Sequence, residues 1–293
     1  MTDAYAPAIR CPVTDAADWE RVATFDAPPP VETDFGLAPY HRELWRSRST
    51  GHVVNRHQMD LSALYQGDYW TRTYGDDAAV RRVFDRIMDL PPERSDNRGR
   101  VAFVDGFCRE RARWAAEEEG RSLLDVGSGL AVFPAAMRAA GWRAAALDPD
   151  PRAARHAETV AGVEGIVADF MSEDLSQRYS LVAFNKVLEH VPDPVAMLAR
   201  AHAVLAPHGL VYVELPDAEG ALEDPEGPAR EEFAIEHYCA FSAASYALLA
   251  QRSGFKVELL ERLVEPSGKY TLRGFLSRPG DAPRPGRCGE AHS

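Results

Sequence analysis

The end of the ordered part of the chain constrains its fold most. From residue 121 to 277, short apolar runs alternate with helical patterns, and the last two runs, 255–264 and 269–276, are separated only by 265–268. Four residues cannot hold a crossover helix, so these two strands must pair antiparallel. Upstream, strand candidates lie at 121–126, 143–147, 165–167, 179–184 and 210–215, and helix candidates at 130–140, 151–161 and from Asp193 onward. Such alternation implies a parallel sheet with helices on both faces. The reading is an α/β fold with seven strands, mostly parallel, closed by an antiparallel hairpin.

Local signals support these elements. Asp193 is an N-cap with Pro194 at the first helical position. Val195, Leu198, His202 and Leu205 then form a stripe. Ser242 caps a later helix that Gly254 stops. Residues 76–120 read as helical, with Ser95 as an N-cap and Val101, Val104, Cys108, Ala112 and Ala115 on one apolar face. Cys108 on that stripe is expected to be a small core residue. Residues 1–75 read as irregular, with Pro28-Pro29-Pro30, and 278–293 as a disordered tail.

Bulk properties exclude several classes. The net charge is -12, which argues against a partner as anionic as nucleic acid. No run approaches the ~18 apolar residues a membrane helix needs. MTDAYAPAIRCP has no basic stretch leading into an apolar core, so no signal peptide is expected and the cytoplasm is the default location. The four cysteines, Cys11, Cys108, Cys239 and Cys288, form no CxxC pair, and no disulfide framework is expected.

The chemistry concentrates at the first strand-to-helix turn, Asp125-Val-Gly127-Ser128-Gly129. Glycines let backbone approach a ligand, and the following helix points its N-terminus there. An acid two residues before Gly127 suits a ligand with an ammonium group and repels a pyrophosphate. The third glycine of a dinucleotide loop is missing, since Leu130, Ala131 and Val132 follow Gly129.

The segment LLDVGSGLAVFPAAMRAAGW resembles the first motif of class I S-adenosylmethionine-dependent methyltransferases, which have a Rossmann-like sheet. VLEHVPDP, LAPHGL, EHYCAFS and SGF resemble the bacterial small-molecule branch, and the likeness spans 121–277. It implies S-adenosylmethionine as cofactor, held by Asp125, Gly127, Ser128, Gly129, Asp148, Pro149, Asp169, Phe170 and Asn185. Asp148 would accept the ribose hydroxyls. Asp169 would meet the adenine amino group, with the neighbouring Phe170 against the ring. Tyr69, with Tyr65, Trp70 and Tyr74, would belong to a lid in the N-terminal region.

Sugar C-methyltransferases, which the chain also resembles, use a Glu-His pair as the base region at the place of Glu236-His237. His190 is the next candidate base, while His202 and His208 read as structural. Those relatives carry a zinc ribbon with two CxxC knuckles. Here Cys11-Pro-Val-Thr14 and Ser47-Arg-Ser-Thr50-Gly51-His52 retain one of the four thiolates, so no metal is expected in a ribbon held by packing.

These features predict methyl transfer to a small molecule, with oxygen favoured as acceptor and the carbon of a sugar-type substrate next, in natural-product or saccharide biosynthesis. A homodimer is possible on this reading, with no nucleic-acid or membrane partner. The competing readings are a catalytically silent S-adenosylmethionine-binding regulator and a nicotinamide-dependent oxidoreductase.

Overall fold

The computed structural model describes residues 9–33, 35–60, 76–111 and 120–281. Seven strands form one sheet: β4 (Ser122–Val126), β5 (Arg143–Asp148), β6 (Glu164–Val167), β7 (Tyr179–Asn185), β8 (Leu205–Pro216), β10 (Lys256–Val264) and β11 (Tyr270–Ser277). Their order is β10-β11-β8-β7-β4-β5-β6. β4 lies parallel between β5 and β7, and β6 adds parallel to β5. Every residue of β4 is buried, as a strand covered on both faces requires. The hairpin closes where Glu265 N–H donates to Lys269 O and Gly268 N–H to Glu265 O, both at 2.8 Å.

By internal packing the chain divides into two compact units. The first comprises Met1–Ala79, Lys186–Ala199 and Glu214–Gly274; the second comprises Val80–Asn185, Arg200–Val213 and Phe275–Ser293.

In the second unit, α1 (Asp77–Met88) precedes α2 (Asp96–Arg111). Ser95 Oγ accepts the Arg98 N–H at 3.2 Å, the expected cap. Val104 and Cys108 are fully buried on the expected face, while Ala112 and Ala115 lie outside the described residues. α3 (Val132–Ala139) follows β4. After β5 comes α4 (Pro151–His156), which widens into a π-helical turn at Ala157–Ala161 and ends at Gly162 in the left-handed conformation. β8 begins earlier than predicted. His208, with φ 58°, is a left-handed point within the strand rather than a turn before it. The tail reading is corrected at its start, because the Arg278 guanidinium donates to the carbonyls of His202, Leu205 and Ala206 at 2.7–3.0 Å. Residues 282–293 lie outside the described residues.

α5 (Pro194–Val204), which begins in the first unit, starts as predicted, with Asp193 accepting the Ala196 N–H at 2.9 Å. Its buried stripe runs through Leu198, Ala201 and Val204, so His202 sits beside the stripe and not on it. α6 (Ala218–Glu223) is capped by Asp217. α7 (Ala243–Arg252) opens with a reciprocal Ser242–Ser245 capping box.

The irregular reading of 1–75 is corrected. β1 (Trp19–Phe25), β2 (Arg42–Ser47) and β3 (Val53–His57) form an antiparallel meander, and β9 (Cys239–Ala240) adds to β3. Its centre holds a charge. Arg42, fully buried, donates to Glu32 Oε2 at 2.9 Å, the Tyr40 hydroxyl at 2.6 Å and Phe233 O at 2.7 Å.

The Ser47–His52 segment forms the turn between β2 and β3, where Ser47 Oγ accepts the Thr50 N–H at 3.2 Å and Thr50 Oγ1 accepts the His52 N–H at 3.3 Å. The Cys11 thiol likewise receives backbone bonds from Val13 and Thr14, although burial raises its pKa. Cys11 joins no cluster of three potential metal ligands among the described residues.

Candidate active site

The glycine loop lies in the second unit. Gly127, Gly129 and Ala131 all take positive φ, at 67°, 49° and 54°. This coils the chain between β4 and α3. The N–H groups of Gly127 and Ser128 donate to Leu147 O at 2.8 and 3.1 Å, which ties the loop to the end of β5. Asp148 completes the tie: Oδ2 accepts the Gly129 N–H at 3.0 Å and Oδ1 the Asp150 N–H at 2.9 Å. Burial raises the Asp148 pKa, against those two bonds. Asp125 is buried, and its Oδ2 accepts Ser128 Oγ–H at 2.8 Å.

The remaining cofactor candidates differ in exposure. Asp169 is exposed and accepts the Met171 N–H and the Ser172 hydroxyl, each at 3.0 Å. Phe170 is 3% exposed and packs edge-on to Phe184 at 5.6 Å, whereas Met171 and Val167 are exposed. Pro149 is exposed beside Asp150, the N-cap of α4. The buried Asn185 Oδ1 accepts no hydrogen bond from the described residues. Tyr69 and its aromatic neighbours lie outside the described residues.

The histidine candidates lie in the first unit, which begins its second segment where β7 ends. Lys186 takes φ 58°, and its N–H donates to Glu214 O at 3.0 Å. Its ammonium donates to Thr271 Oγ1 at 2.7 Å and lies 3.9 Å from the buried Glu214 carboxylate. A single helical turn, Leu188–His190, follows. Tyr238 N–H donates to Glu189 O at 2.7 Å, which brings the segment from Glu232 to Cys239 alongside. The His190 and His237 rings then meet edge to face, 4.6 Å apart at 81°.

Both imidazoles are held through Nδ1, His190 on Glu236 O at 3.2 Å and His237 on Glu232 O at 2.9 Å. A carbonyl can only accept, so Nδ1 carries the hydrogen and Nε2 the lone pair in each ring. Burial pushes His190 down to about 4 and His237 well below its ordinary value, so both are neutral at pH 7. Glu189 sits against them, 1% exposed, with Oε2 accepting no hydrogen bond among the described residues. Burial raises its carboxyl to about 7, against the pull of the Lys186 ammonium.

The structure therefore brings His190 and His237 together and adds two residues the sequence reading passed over, Glu189 and Lys186. Both lie in the quoted FNKVLEHVPDP segment, and the left-handed Lys186 turn is what folds that segment back. The Glu236 carbonyl holds His190, while burial raises the pKa of its carboxyl, with the charges of Glu32, Arg42 and Glu231 acting less.

Known proteins resemble this chain at two levels, sequence and fold. The family model described as a methyltransferase domain matches residues 98–260. A ubiquinone biosynthesis O-methyltransferase of Pseudomonas paraeruginosa is 31% identical over 144 residues, covering 47% of this chain and 59% of the relative. The same enzyme of a Methylobacterium species is 29% identical over 150 residues, 48% of this chain and 57% of the relative. The chain thus matches somewhat over half the length of these relatives.

Among solved structures, the 1,6-didemethyltoxoflavin-N1-methyltransferase of Burkholderia thailandensis, with S-adenosylhomocysteine bound, superimposes with a TM-score of 0.54 at 19% identity, over 86% of this chain and 99% of the other. That likeness is one of fold. With the family model matching more than half of its length, over the glycine loop and the Lys186–His190 turn alike, the chain belongs to the methyltransferase domain family.

Proposed function

We propose that this protein transfers the methyl group of S-adenosylmethionine to a hydroxyl of a small molecule. The observation that supports an oxygen acceptor most directly is the pair of neutral imidazoles, His190 and His237, each with its Nε2 lone pair free of the backbone. S-adenosylmethionine supplies an already activated methyl, so the protein's task is alignment and removal of one proton.

The loop suits that cofactor. Asp125 provides negative charge for a methionine ammonium. Asp148, fixed by two backbone N–H groups, retains lone pairs for ribose hydroxyls. The buried Asn185 Oδ1 offers an acceptor for a donor group. Asp169 is exposed for an adenine amino group. The exposed Met171 fits the ring face better than the buried Phe170.

On the acceptor side, the Glu189–His190–His237 cluster takes the hydroxyl proton. The acceptor oxygen forms its bond to the methyl carbon as the carbon–sulfur bond breaks, and its electron pair returns to sulfur. A hydroxylated acceptor also agrees with the curated relatives being O-methyltransferases. The small-molecule range, including natural-product intermediates and saccharides, belongs to the same proposal.

The test is to incubate the protein with methyl-labelled S-adenosylmethionine and a panel of phenols, catechols and hydroxylated sugars. Label on oxygen of one acceptor, lost in His190→Ala and His237→Ala, is the expected result. Binding of NADH without S-adenosylmethionine, measured by calorimetry, would overturn the reading. So would unchanged turnover in both histidine variants.

A further inference from the structure

We infer that a cavity bordered by Arg10, Arg56 and Tyr238 is a binding site for a small monocarboxylate with a single-ring apolar body. The site stands on its geometry and does not rest on the methyl-transfer reading.

The cavity has a volume of about 230 Å³, and all of its walls belong to the first unit. Pockets for drug-sized molecules begin at roughly 300 Å³, so this one takes a smaller ligand. It continues the segments that carry the histidine cluster but is distinct from it. Val191 and Pro192 line it just after His190, and Tyr238 just after His237, while none of Glu189, His190 and His237 does.

Backbone contacts fix the walls. Asn55 N–H donates to Tyr238 O at 2.9 Å, and Tyr238 N–H to Glu189 O at 2.7 Å, so β3 and the Leu188–His190 turn are held on either side of one residue. The segment from Ile9 to Val13 closes a further side. The Arg252 guanidinium holds it there, donating to Pro12 O at 3.3 Å and pairing with Asp15. A cavity formed this way is ready before a ligand arrives, which lowers the ordering cost of binding.

Two kinds of surface meet in it. Val54, Val191 and Pro192, with the ring of Tyr238, can cover an apolar body. Arg10 and Arg56 are exposed, and neither forms an ion pair among the described residues. The neighbouring acids are engaged elsewhere or count against them. Glu43, opposite Arg56 on β2, accepts from Arg21 and Trp45. Asp15 is matched by Arg252. Asp193, between Pro192 and Pro194, caps α5 and keeps its charge.

Two guanidiniums against one carboxylate leave a surplus of one positive charge, in a chain whose net charge is -12. That surplus balances a single carboxylate and falls short of a phosphate monoester, which carries about -1.5 to -2 at pH 7. The planar guanidinium fork also matches a carboxylate in shape.

Calorimetry on the full chain tests the site with benzoate. The comparison ligands are acetate, which lacks the ring, benzyl alcohol, which lacks the charge, and phenyl phosphate, which carries more of it. One benzoate per chain is expected, with each of the other three weaker by about 10-fold or more. Arg10→Gln and Arg56→Gln, both at exposed positions, should each weaken benzoate about 10-fold, and Arg56→Lys should lose less than Arg56→Gln.

Cys11 gives a second readout, since it lines the cavity and is only half-buried. Saturating benzoate should slow its alkylation by iodoacetamide, followed by peptide mass spectrometry, and Arg56→Gln should need more benzoate for the same protection. Absence of saturable benzoate binding would overturn the inference. So would an affinity unchanged in both glutamine variants, or Cys11 alkylation indifferent to bound benzoate. Phenyl phosphate binding more tightly than benzoate would overturn the choice of a carboxylate.

Discussion

The glycine loop and the histidine cluster are built on opposite principles. The loop is made by backbone. Gly127, Ser128 and Gly129 bond through N–H groups to Leu147 and Asp148, and the residues that matter lie within about two dozen positions of sequence. The cluster is made by side chains. Lys186 to His190 and Glu232 to His237 are joined by Tyr238 N–H donating to Glu189 O and by His190 Nδ1 on Glu236 O. A site written in backbone can be recognised from spacing, and one assembled from distant side chains cannot. The two should therefore fail differently when altered: the loop in affinity for the cofactor, the cluster in turnover.

The largest effect is expected from His237→Ala. Removing an imidazole that activates the acceptor should lower turnover about 10²–10⁴-fold. Affinity for S-adenosylmethionine, read by calorimetry, should stay within a factor of about two to three, since the proposed cofactor contacts come from other residues. A matched loss of cofactor affinity would break the comparison, because the cluster would then belong to the cofactor site.

Asp148→Ala should show the converse. Hydrogen bonds to a charged partner contribute about 1.5–3 kcal/mol, so affinity for S-adenosylmethionine should fall about 10- to 100-fold. At saturating cofactor, turnover should largely recover. Calorimetry paired with a cofactor-concentration series separates the two. Wild-type affinity in this variant would refute the assignment of the ribose contact.

The same contrast explains what the sequence made legible. The seven strands, the closing hairpin, the caps at Ser95, Asp193 and Ser242, and the glycine loop all rest on local periodicity or short motifs. The β1–β3 meander escaped because neither of its first two strands shows plain alternation. β1 has only Trp19 buried, and β2 opens with Arg42, whose charge is satisfied by Glu32 from ten residues away. β9 has two residues, too few for any period. β8 was cut short because Pro-His-Gly reads as a turn, though here it stays in the strand with His208 left-handed. Within the site, His190 and His237 were visible as residue types in loops. Glu189 was not, because its meaning comes from burial beside two rings that the chain order does not bring together.

His52 offers a smaller test, confined to the first unit. It is fully buried, its ring nitrogens bond to nothing among the described residues, and it meets Phe241 edge-on at 5.0 Å. Burial lowers its pKa to about 3. The unfolded chain therefore binds the proton first, and stability present above about pH 6.5 is lost as pH falls. The expected slope is about 1.4 kcal/mol per pH unit below that point, or roughly 2 kcal/mol lost by pH 5. His52→Leu sacrifices no hydrogen bond and should flatten the acid limb of urea-unfolding stability while leaving pH 7 stability about the same. An acid limb unchanged by this substitution would mean that other groups carry it.

The smallest expected effect comes from the loop itself, at Ala131→Gly. Ala131 is fully buried and left-handed, with φ 54°, two residues after Gly129. Removing its Cβ relieves strain of about 1–2 kcal/mol. The substitution also gives up a buried methyl, about 0.8 kcal/mol. It further frees the unfolded chain, by about 0.4–1 kcal/mol. These three nearly cancel, so the melting temperature should move by no more than a degree or two, and cofactor affinity should hold. A loss above about 1.5 kcal/mol would instead show that the methyl is a packing element between the loop and α3. The loop would then depend on a side chain after all, and the contrast with the histidine cluster would narrow at this residue.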